Sequence, residues 1–409
     1  MGPSERNIET VIVGGGQAGL SVSYYLGQQG HEHVILEQAD RPAHTWRDER
    51  WDSFTLVTPN WTFRIPGANY EDAQPDGYIA RDEIVRRFDD YVEKYSLPVD
   101  YNVCVTSVDA EQDGYRVQTN DGGWHARNVV IATGVFQKPK IPVFSKELPA
   151  GVFQIDTSQY RNPQKLPPGA VLVVGSGQSG CQICEELYQS GRQVYQCVGS
   201  AGRAPRRYRG KDIVYWLDLT GFFSRTVANL PNPRARFAGN PQVSGKNGGH
   251  SLNLHQFFRD GVHLLGRFTG FQDGQLLLAP DLKENLNKND QAELKVIQAV
   301  DEYITKNGIS APAESLPALS DGYNAPEILS LNLKKAGITT IIWAMGYHYD
   351  YSLVNLPVFE ESGYPITQAG VTRFPGLYFA GLPWQPMMKN GLLLGVSESA
   401  HAIVEKIVI

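Results

Sequence analysis

The sequence is poor in cysteine and contains no long hydrophobic run. Its four cysteines, Cys104, Cys181, Cys184 and Cys197, are too few and too clustered for the disulfide framework of a small secreted protein. No stretch approaches the roughly 18 apolar residues of a membrane span, and no basic segment with an apolar core stands at the amino terminus. We therefore predict a cytoplasmic protein that does not bind membranes.

An excess of charge of one sign is also lacking. The formal net charge is -6, without a long Lys or Arg run, so the chain has no general electrostatic footprint for nucleic acid or anionic lipid. We expect neither partner, and no metal site.

What is present is a loop-rich globular composition, with 42% hydrophobic residues, 41 Gly and 25 Pro in 409 residues. This length is sufficient for two domains, each with its own core.

A glycine-rich segment follows the first strand-like run. The β-branched residues 10–13 lead directly into the G-G-G-Q-A-G sequence of residues 14–19, and helix-like apolar spacing follows. In this pattern the first glycine permits a tight turn, the second lets the backbone approach a pyrophosphate, and the third lets the helix pack against the strand. The helix N-terminus adds N–H groups and positive dipole. We predict dinucleotide contacts from Gly14, Gly16, Gln17, Ala18 and Gly19.

A carboxylate ends the second strand-like run. Glu37 follows residues 34–36 and stands roughly 20 residues after Gly14, the spacing of an acid that binds a ribose hydroxyl. We predict that Glu37 and its neighbour Gln38 contact the nucleotide.

The same pattern returns in the middle of the chain. Residues 171–174 lead into G-S-G-Q-S-G at 175–180, followed by a helix-like segment and the strand-like run 194–198. This repetition predicts a second dinucleotide site. Its expected contacts are Gly175, Ser176, Gly177, Gln178, Ser179 and Gly180.

No carboxylate ends the second strand of this repeat. Residues 198–200 are Val-Gly-Ser, and four arginines follow at positions 203, 206, 207 and 209. A carboxylate would repel a ribose 2′-phosphate, whereas guanidinium groups bind it bidentately. NADPH is therefore favoured over NADH, with Arg203 and Arg206 as the preferred ligands. The alternative is that these arginines form a solvated loop.

Two further strand-like segments, residues 128–134 and 340–347, flank the second repeat and end in glycine. They indicate one domain interrupted by another, with a last strand at 376–381 and a helix at 392–407 completing the first. We predict an α/β fold with two Rossmann-type domains, the second inserted into the first. The expected divisions are 1–155 and 326–409 for the first domain and 156–325 for the second.

Taken together, these segments resemble flavin-containing monooxygenases and their bacterial flavoprotein relatives over nearly the whole chain. The resemblance lies in the two glycine turns, in Ala-Thr-Gly at 132–134, in the segment 344–347 and in F-A-G-L-P-W at 379–384. It implies the two-dinucleotide architecture of glutathione and thioredoxin reductases, with FAD in the first domain and NADPH in the inserted one. It also implies that Thr45, Trp46 and Arg47 fold over the FAD ribose and adenine, and that the Val105 backbone reads the adenine. Ala132, Thr133, Gly134 and Gly381 are the remaining expected FAD contacts.

The resemblance further implies a reaction in which NADPH reduces FAD, oxygen adds to the reduced flavin and the peroxyflavin oxygenates a small organic substrate. Asn60 is the candidate catalytic residue, although an Asn after Pro59 is also typical of a turn. Two positions depart from the family pattern. The linker residues 153–160 lack the expected histidine, and Leu382 stands where many relatives have an aspartate after the glycine.

Three alternatives remain open at this stage. Cys181 and Cys184 form a C-x-x-C, which suggests a disulfide reductase, but residues three apart after the second turn also suit a helix face packed on the sheet. An NADPH oxidase-like flavoprotein and a non-catalytic flavin- and nucleotide-binding sensor would carry the same turns. Structural roles are favoured for His250 and His255, and residues 216–317 contain no motif that identifies a substrate.

Overall fold

A computed structural model describes residues 5–409 and contains two sheets of the Rossmann type. Parallel pairing joins five strands of the first sheet, and two further strands extend it in an antiparallel meander. In spatial order these strands are Val99–Tyr101, His33–Glu37, Glu5–Val13, Gly122–Ile131, Gly114–Thr119 and Val105–Glu111, with Leu377–Phe379 paired to the end of Gly122–Ile131. Central residues such as Val11 and Ile12 are fully buried, as apolar parallel strands covered on both faces should be.

Helices cover this sheet. Gln17–Gln28 packs against Val396–Ile407, where the Tyr25 hydroxyl lies 2.8 Å from Ser397 Oγ. Arg81–Tyr95 lies beside them and buries an apolar stripe that includes Ile84 and Phe88. The last helix begins at Val396, later than expected, because Met388–Gly391 forms a 3-10 turn before it. No helix among residues 5–409 is both long and apolar enough to cross a membrane.

The second sheet is entirely parallel. Its strands, in spatial order, are His263–Leu265, Val194–Cys197, Ala170–Val174, Ile338–Trp343 and Phe153–Asp156. The helices Gln178–Gln189, Leu254–Arg259 and Leu282–Lys306 belong to the same domain, as does an antiparallel sheet of Phe268–Gln272, Gln275–Leu278 and Ser330–Asn332. Short elements complete the chain: the helices His44–Asp48 and Ile213–Leu219, and the two-residue strand pairs Lys138–Pro139 with Tyr347–His348, Arg207–Tyr208 with Lys211–Asp212, and Val243–Ser244 with His250–Ser251.

The insertion of one domain into the other is confirmed, but the predicted boundary at 325/326 is wrong. Ile338–Trp343 pairs in parallel with Ala170–Val174 and therefore belongs to the second sheet. Phe153–Asp156 also lies there, so the chain leaves the first domain before residue 153. It returns only after the strand pair formed by Lys138–Pro139 and Tyr347–His348. Residues 1–4 of the predicted first segment lie outside the described part of the chain.

A buried ion pair fastens the two domains together. Arg206 is 2% exposed and donates from Nη2 to Asp212 Oδ1 at 2.5 Å, within the second domain. Its Nη1 donates to the Val57 carbonyl of the first domain at 2.7 Å. Tyr78, also from the first domain, donates its hydroxyl to the Asp212 carboxylate, and its ring lies 4.9 Å from the Arg206 guanidinium carbon. We call these four residues the interdomain clamp.

Removing the cation from the clamp is expected to destabilise the protein strongly. Arg206→Met leaves the Asp212 carboxylate buried without its ion-pair partner, and such losses cost about 3 kcal/mol or more. The measurement is the free energy of unfolding from urea titration followed by tryptophan fluorescence. Arg64→Met, at an exposed arginine outside the clamp, is the control. A change below about 0.5 kcal/mol, the range of ordinary surface substitutions, would show that the clamp does not hold the domains.

Candidate functional site

The first glycine turn is shaped by contacts that exclude side chains. Gly14 has φ +110°, and a Cβ built on it would lie 2.7 Å from the Ala132 carbonyl oxygen. A Cβ on Gly19 would lie 2.0 Å from the Gly14 carbonyl oxygen. Gly16 differs, because no atom lies within 4 Å of its Cβ position, and it is the N-cap of the helix Gln17–Gln28. The turn is thus tight against the sheet on one side and open at the helix N-terminus.

The second glycine turn repeats this geometry. Gly175 has φ +118°, and its Cβ position lies 2.4 Å from the Ala344 carbonyl oxygen. The Cβ position of Gly180 lies 2.3 Å from the Gly175 carbonyl oxygen, whereas Gly177 has open space and caps the helix Gln178–Gln189. At each turn, backbone N–H groups and the positive end of the helix dipole therefore face an open cradle. A side chain at Gly16 or Gly177 would fill this space. This arrangement fits a pyrophosphate.

A glutamine follows the open glycine in each turn and ties down a distant loop. Gln17 donates from Nε2 to the Gly391 carbonyl oxygen at 3.2 Å. Gln178 donates to the Val243 carbonyl oxygen at 2.6 Å and accepts from the Val243 N–H at 3.1 Å. The C-terminal segment of the first domain and residues 243–251 of the second are thereby held beside the two helix N-termini.

The predicted ribose acid lies beside the first turn. Glu37 is 6% exposed, and its carboxylate accepts hydrogen bonds from the N–H groups of Gly15 at 2.6 Å and Ala39 at 2.8 Å. Gln38 is exposed next to it. At the matching place in the second domain, the Gly199 N–H donates to the Ser176 hydroxyl at 2.9 Å, so a neutral group replaces the acid.

The other residues predicted near FAD gather around the same turn. The Ala43 N–H donates to the Gly15 carbonyl oxygen at 3.0 Å and so places the helix His44–Asp48, with Thr45, Trp46 and Arg47, against it. The Val103 N–H donates to the Glu37 carbonyl oxygen at 2.9 Å, which brings the start of the strand Val105–Glu111 nearby. Ala132 also lies at the turn, because its carbonyl contacts Gly14, and Thr133 and Gly134 follow it. Gly381 is close as well, since a Cβ built on it would be 2.4 Å from Ala18 Cβ.

The preferred 2′-phosphate ligands require correction. Arg203 is 4% exposed, and its guanidinium donates to Asp290 and Glu293, each at 2.6 Å, and to Asn289 at 2.8 Å. Arg206 is occupied in the interdomain clamp. Because internal carboxylates already neutralise both guanidinium groups, this pair is not free to bind a phosphate.

Asn60 also has a different role from the one predicted. It is 2% exposed, its Oδ1 accepts from the Ile79 N–H at 2.7 Å, and its Nδ2 donates to the Gln74 carbonyl oxygen at 2.9 Å. Both ends of the amide therefore hold the loop between Gln74 and Ile79, which makes Asn60 a structural residue and not a free catalytic group.

The two histidines considered for proton transfer have different hydrogen-bond partners. His250 faces acceptors on both nitrogens, the Lys246 carbonyl oxygen at 3.2 Å and Glu185 Oε1 at 2.7 Å. Only an imidazolium donates to both, and the Glu185 hydrogen bond raises the pKa of His250 despite its burial. His255 is fully buried between Asp290, at 3.1 Å, and the Gly322 N–H, at 3.0 Å. Both rings join segments of the second domain, as the structural interpretation expected.

The C-x-x-C motif lies inside the core. Cys181 is 1% exposed and Cys184 is fully buried on the sheet-facing side of the helix Gln178–Gln189. Burial raises the pKa of Cys181 to about 12 and that of Cys184 well above its usual range. The reactive thiolate form is therefore disfavoured at both positions.

A long segment of the second domain, residues 222–238, reaches across to the first domain, and we call it the arm. The Lys389 and Met388 N–H groups donate to the carbonyl oxygens of Phe223 at 3.0 Å and Arg225 at 2.9 Å. The Trp384 indole donates to the Arg236 carbonyl oxygen at 2.9 Å. The arm covers the C-terminal segment predicted to lie near the flavin. Its sequence has no periodic pattern that indicates this contact.

Residues 5–409 contain no cluster of three or more His, Cys, Asp or Glu placed to hold a metal ion.

Comparison with known proteins agrees with this architecture. Residues 11–219 match the family described as pyridine nucleotide-disulphide oxidoreductase. An uncharacterized CzcO-like oxidoreductase from Geobacillus kaustophilus is 33% identical over 98% of both chains. The indole-3-pyruvate monooxygenase YUCCA1 of rice is 29% identical over 99% of this chain and 94% of its own.

A solved structure shows the same fold. The flavin-containing monooxygenase from Stenotrophomonas maltophilia superimposes with a TM-score of 0.63 at 21% identity, covering 98% of both chains. The match over half of the sequence and the full-length relative at 33% identity place the chain in a known family. The chain belongs to the pyridine nucleotide-disulphide oxidoreductase family, among its flavin-containing monooxygenase-like oxidoreductases.

Proposed function

We propose that the chain is an FAD-dependent, NADPH-using monooxygenase that oxygenates a small organic substrate. The observation that carries this proposal is the pair of glycine turns with the same geometry, open at Gly16 and Gly177. The strands whose ends contact the two turns are Gly122–Ile131 and Ile338–Trp343. The segments that follow these strands meet between the domains, where the Phe136 and Tyr347 rings lie 5.5 Å apart. Two dinucleotides bound at the two turns would both extend toward this junction.

From the residues around each turn, we assign FAD to the first domain and NADPH to the second. FAD would be held by Gly14, Gly16, Gln17, Ala18, Gly19, Glu37, Gln38, Thr45, Trp46, Arg47, Val105, Ala132, Thr133, Gly134 and Gly381. NADPH would be held by Gly175, Ser176, Gly177, Gln178, Ser179 and Gly180. Bound there, the flavin would supply the redox chemistry, taking hydride from NADPH and passing electrons to oxygen.

The absence of an acid at residues 198–200 supports NADPH over NADH, since no carboxylate there would repel a 2′-phosphate. Arg209 is paired with Asp301. Of the four arginines that follow, Arg207 alone lacks a carboxylate partner within the described part of the chain; it donates to the Gly248 and Gly249 carbonyl oxygens. Arg207 therefore replaces Arg203 and Arg206 as the candidate ligand of the 2′-phosphate.

Oxygen insertion into the substrate is favoured over simple release of hydrogen peroxide for two reasons. The rice relative is named as a monooxygenase of indole-3-pyruvate. The arm also covers the C-terminal segment through Phe223 and Arg225, and exclusion of water protects reactive oxygenated intermediates.

Rapid mixing tests this oxygen chemistry directly. When the anaerobically NADPH-reduced enzyme meets air, we expect a transient absorbance of oxygenated flavin that decays more rapidly when substrate is present. Stopped-flow spectroscopy with parallel peroxide detection measures both. Immediate stoichiometric peroxide would instead identify an oxidase-like enzyme, and a failure of NADPH to reduce the flavin would defeat the proposal.

Two matched substitutions separate the cofactor sites. Gly16→Ala and Gly177→Ala place a methyl group in each open cradle without internal collision, since both residues have negative φ. Gly16→Ala should weaken FAD binding at least about tenfold, about 1.4 kcal/mol, because its methyl group meets the pyrophosphate. Gly177→Ala should retain FAD but need at least about tenfold more NADPH for flavin reduction.

Gly27→Ala, at an open position on the first helix, is the control. FAD content after gel filtration and the NADPH dependence of flavin reduction are the measurements. The assignment of cofactors to turns is refuted if the two variants show the same defect or exchange their effects.

Thiol labelling tests the disulfide reductase alternative. The native enzyme should react quickly only at Cys104, which is partly exposed, because Cys181, Cys184 and Cys197 are buried. NADPH reduction should not add rapidly reacting thiols. The measurement is labelling by a chromogenic disulfide before and after reduction, with the urea-unfolded chain as the control in which all four react. Two additional fast thiols after reduction would support a redox pair.

A further inference from the structure

Arg50 is a cation held by aromatic rings and not by a carboxylate. Its guanidinium carbon lies 5.6 Å from the Trp46 ring centroid, 5.7 Å from that of Phe54 and 5.4 Å from that of Phe136. Nη1 donates to the Glu49 carbonyl oxygen at 3.1 Å. Among residues 5–409, no carboxylate oxygen lies within 4.0 Å of its guanidinium nitrogens.

The lack of an ion pair separates Arg50 from three other arginines of the two domains. Arg47 is paired with Asp89, Arg203 with Asp290 and Glu293, and Arg206 with Asp212. Burial lowers the pKa of Arg50, and the longer-range effects of Tyr347 and Glu49 do not offset it. A guanidinium remains protonated nonetheless. Arg50 is half-buried, and a partly desolvated cation without a counter-ion is stabilised when a ligand supplies the anion.

Arg50 lies where the two domains meet. Phe136 follows Gly134 in the segment that leaves the first domain, and Tyr347 follows Gly346 in the segment that returns to it. Their rings are 5.5 Å apart, and the Tyr347 hydroxyl is 2.9 Å from Thr157 Oγ of the second domain. The guanidinium therefore lies at the junction of the two domains, toward which two bound dinucleotides would extend.

The surroundings of Arg50 suit one kind of anion. Phe136, whose ring lies against the guanidinium, is 50% exposed, so apolar surface lies open beside the charge. The pyrophosphates have their own cradles at Gly16 and Gly177. A guanidinium binds a planar carboxylate bidentately, and an exposed ring can cover an apolar skeleton. We propose that Arg50 binds the carboxylate of an aromatic carboxylic acid substrate at this junction, an inference that rests on the proposed monooxygenase function.

A pair of ligands that differ in charge tests this role in the FAD-loaded enzyme. Phenylpyruvate carries a carboxylate where phenylacetone has a methyl group. Binding is followed without turnover by quenching of tryptophan fluorescence, since Trp46 contacts Arg50. Arg50→Gln should weaken phenylpyruvate binding roughly 10- to 100-fold, the loss expected of a charge-assisted hydrogen bond, and leave phenylacetone unchanged. Arg50→Lys keeps the positive charge but lacks the planar pair of N–H donors. Its affinity for phenylpyruvate should therefore lie between those of the wild type and Arg50→Gln.

Arg64→Gln is the matched control, because Arg64 also lies over an indole, 5.3 Å from the Trp61 ring centroid, but is exposed. FAD content and the NADPH dependence of flavin reduction are measured on every variant. A defect confined to FAD or NADPH would overturn the proposal by assigning Arg50 to a cofactor phosphate. Equal weakening of both ligands, or no wild-type preference for phenylpyruvate, would overturn it as well.

The proposed function fails separately from this inference. Phenylpyruvate binding that depends on Arg50, without NADPH-driven oxygen uptake by the wild type, would leave the carboxylate site standing and reject the monooxygenase reaction. Oxygen uptake that Arg50→Gln does not alter at any phenylpyruvate concentration would reject the carboxylate site alone.

Discussion

In each domain a glycine backbone lies directly against the carbonyl at the end of a neighbouring strand, and the functional arrangement depends on this contact. Gly14 meets Ala132 and Gly175 meets Ala344 at distances that no side chain tolerates. The contact sets where each helix begins and points its N–H groups past the carboxyl edge of the sheet. In both sheets the strand that leads into the glycine turn lies between the next strand of the chain and a strand from much later in the chain. Ligands of open α/β sheets bind at such switch points.

Polar contacts between the domains hold the two tight turns in a defined relative position. The interdomain clamp joins Arg206 and Asp212 to Val57 and Tyr78, while the arm pairs its backbone with residues 384–389. Both contacts use buried side-chain or backbone hydrogen bonds. Removing one partner of such a bond costs much more folding free energy than removing a partner of an exposed bond. The distance between the turns is therefore determined by polar contacts far from either glycine.

Charge is distributed unevenly around the second turn. Arg203, Arg206 and Arg209 all have carboxylate partners, so a run of arginines that looks like a phosphate site is mainly internal structure. Arg50 shows the opposite case, since this half-buried arginine of the first domain packs among three rings without a carboxylate partner in the described part of the chain. Composition along the chain does not distinguish these two cases, because neutralisation depends on partners that are distant in sequence.

The sequence by itself determined the two glycine turns, the acid Glu37, the neutral group in its place in the second domain, and the insertion of one domain into the other. Backbone with positive φ or without room for a Cβ restricts the residue type at that position, so this local constraint is visible in the sequence. The tertiary structure alone decided the partners of Arg203, the role of Asn60 and the sheet to which Ile338–Trp343 belongs. Arg203 pairs with Asp290, 87 residues away, and Ile338–Trp343 pairs with residues 170–174 across about twice that separation. Ion pairs and parallel pairing over such separations are selected by packing, and packing leaves no local pattern in the chain.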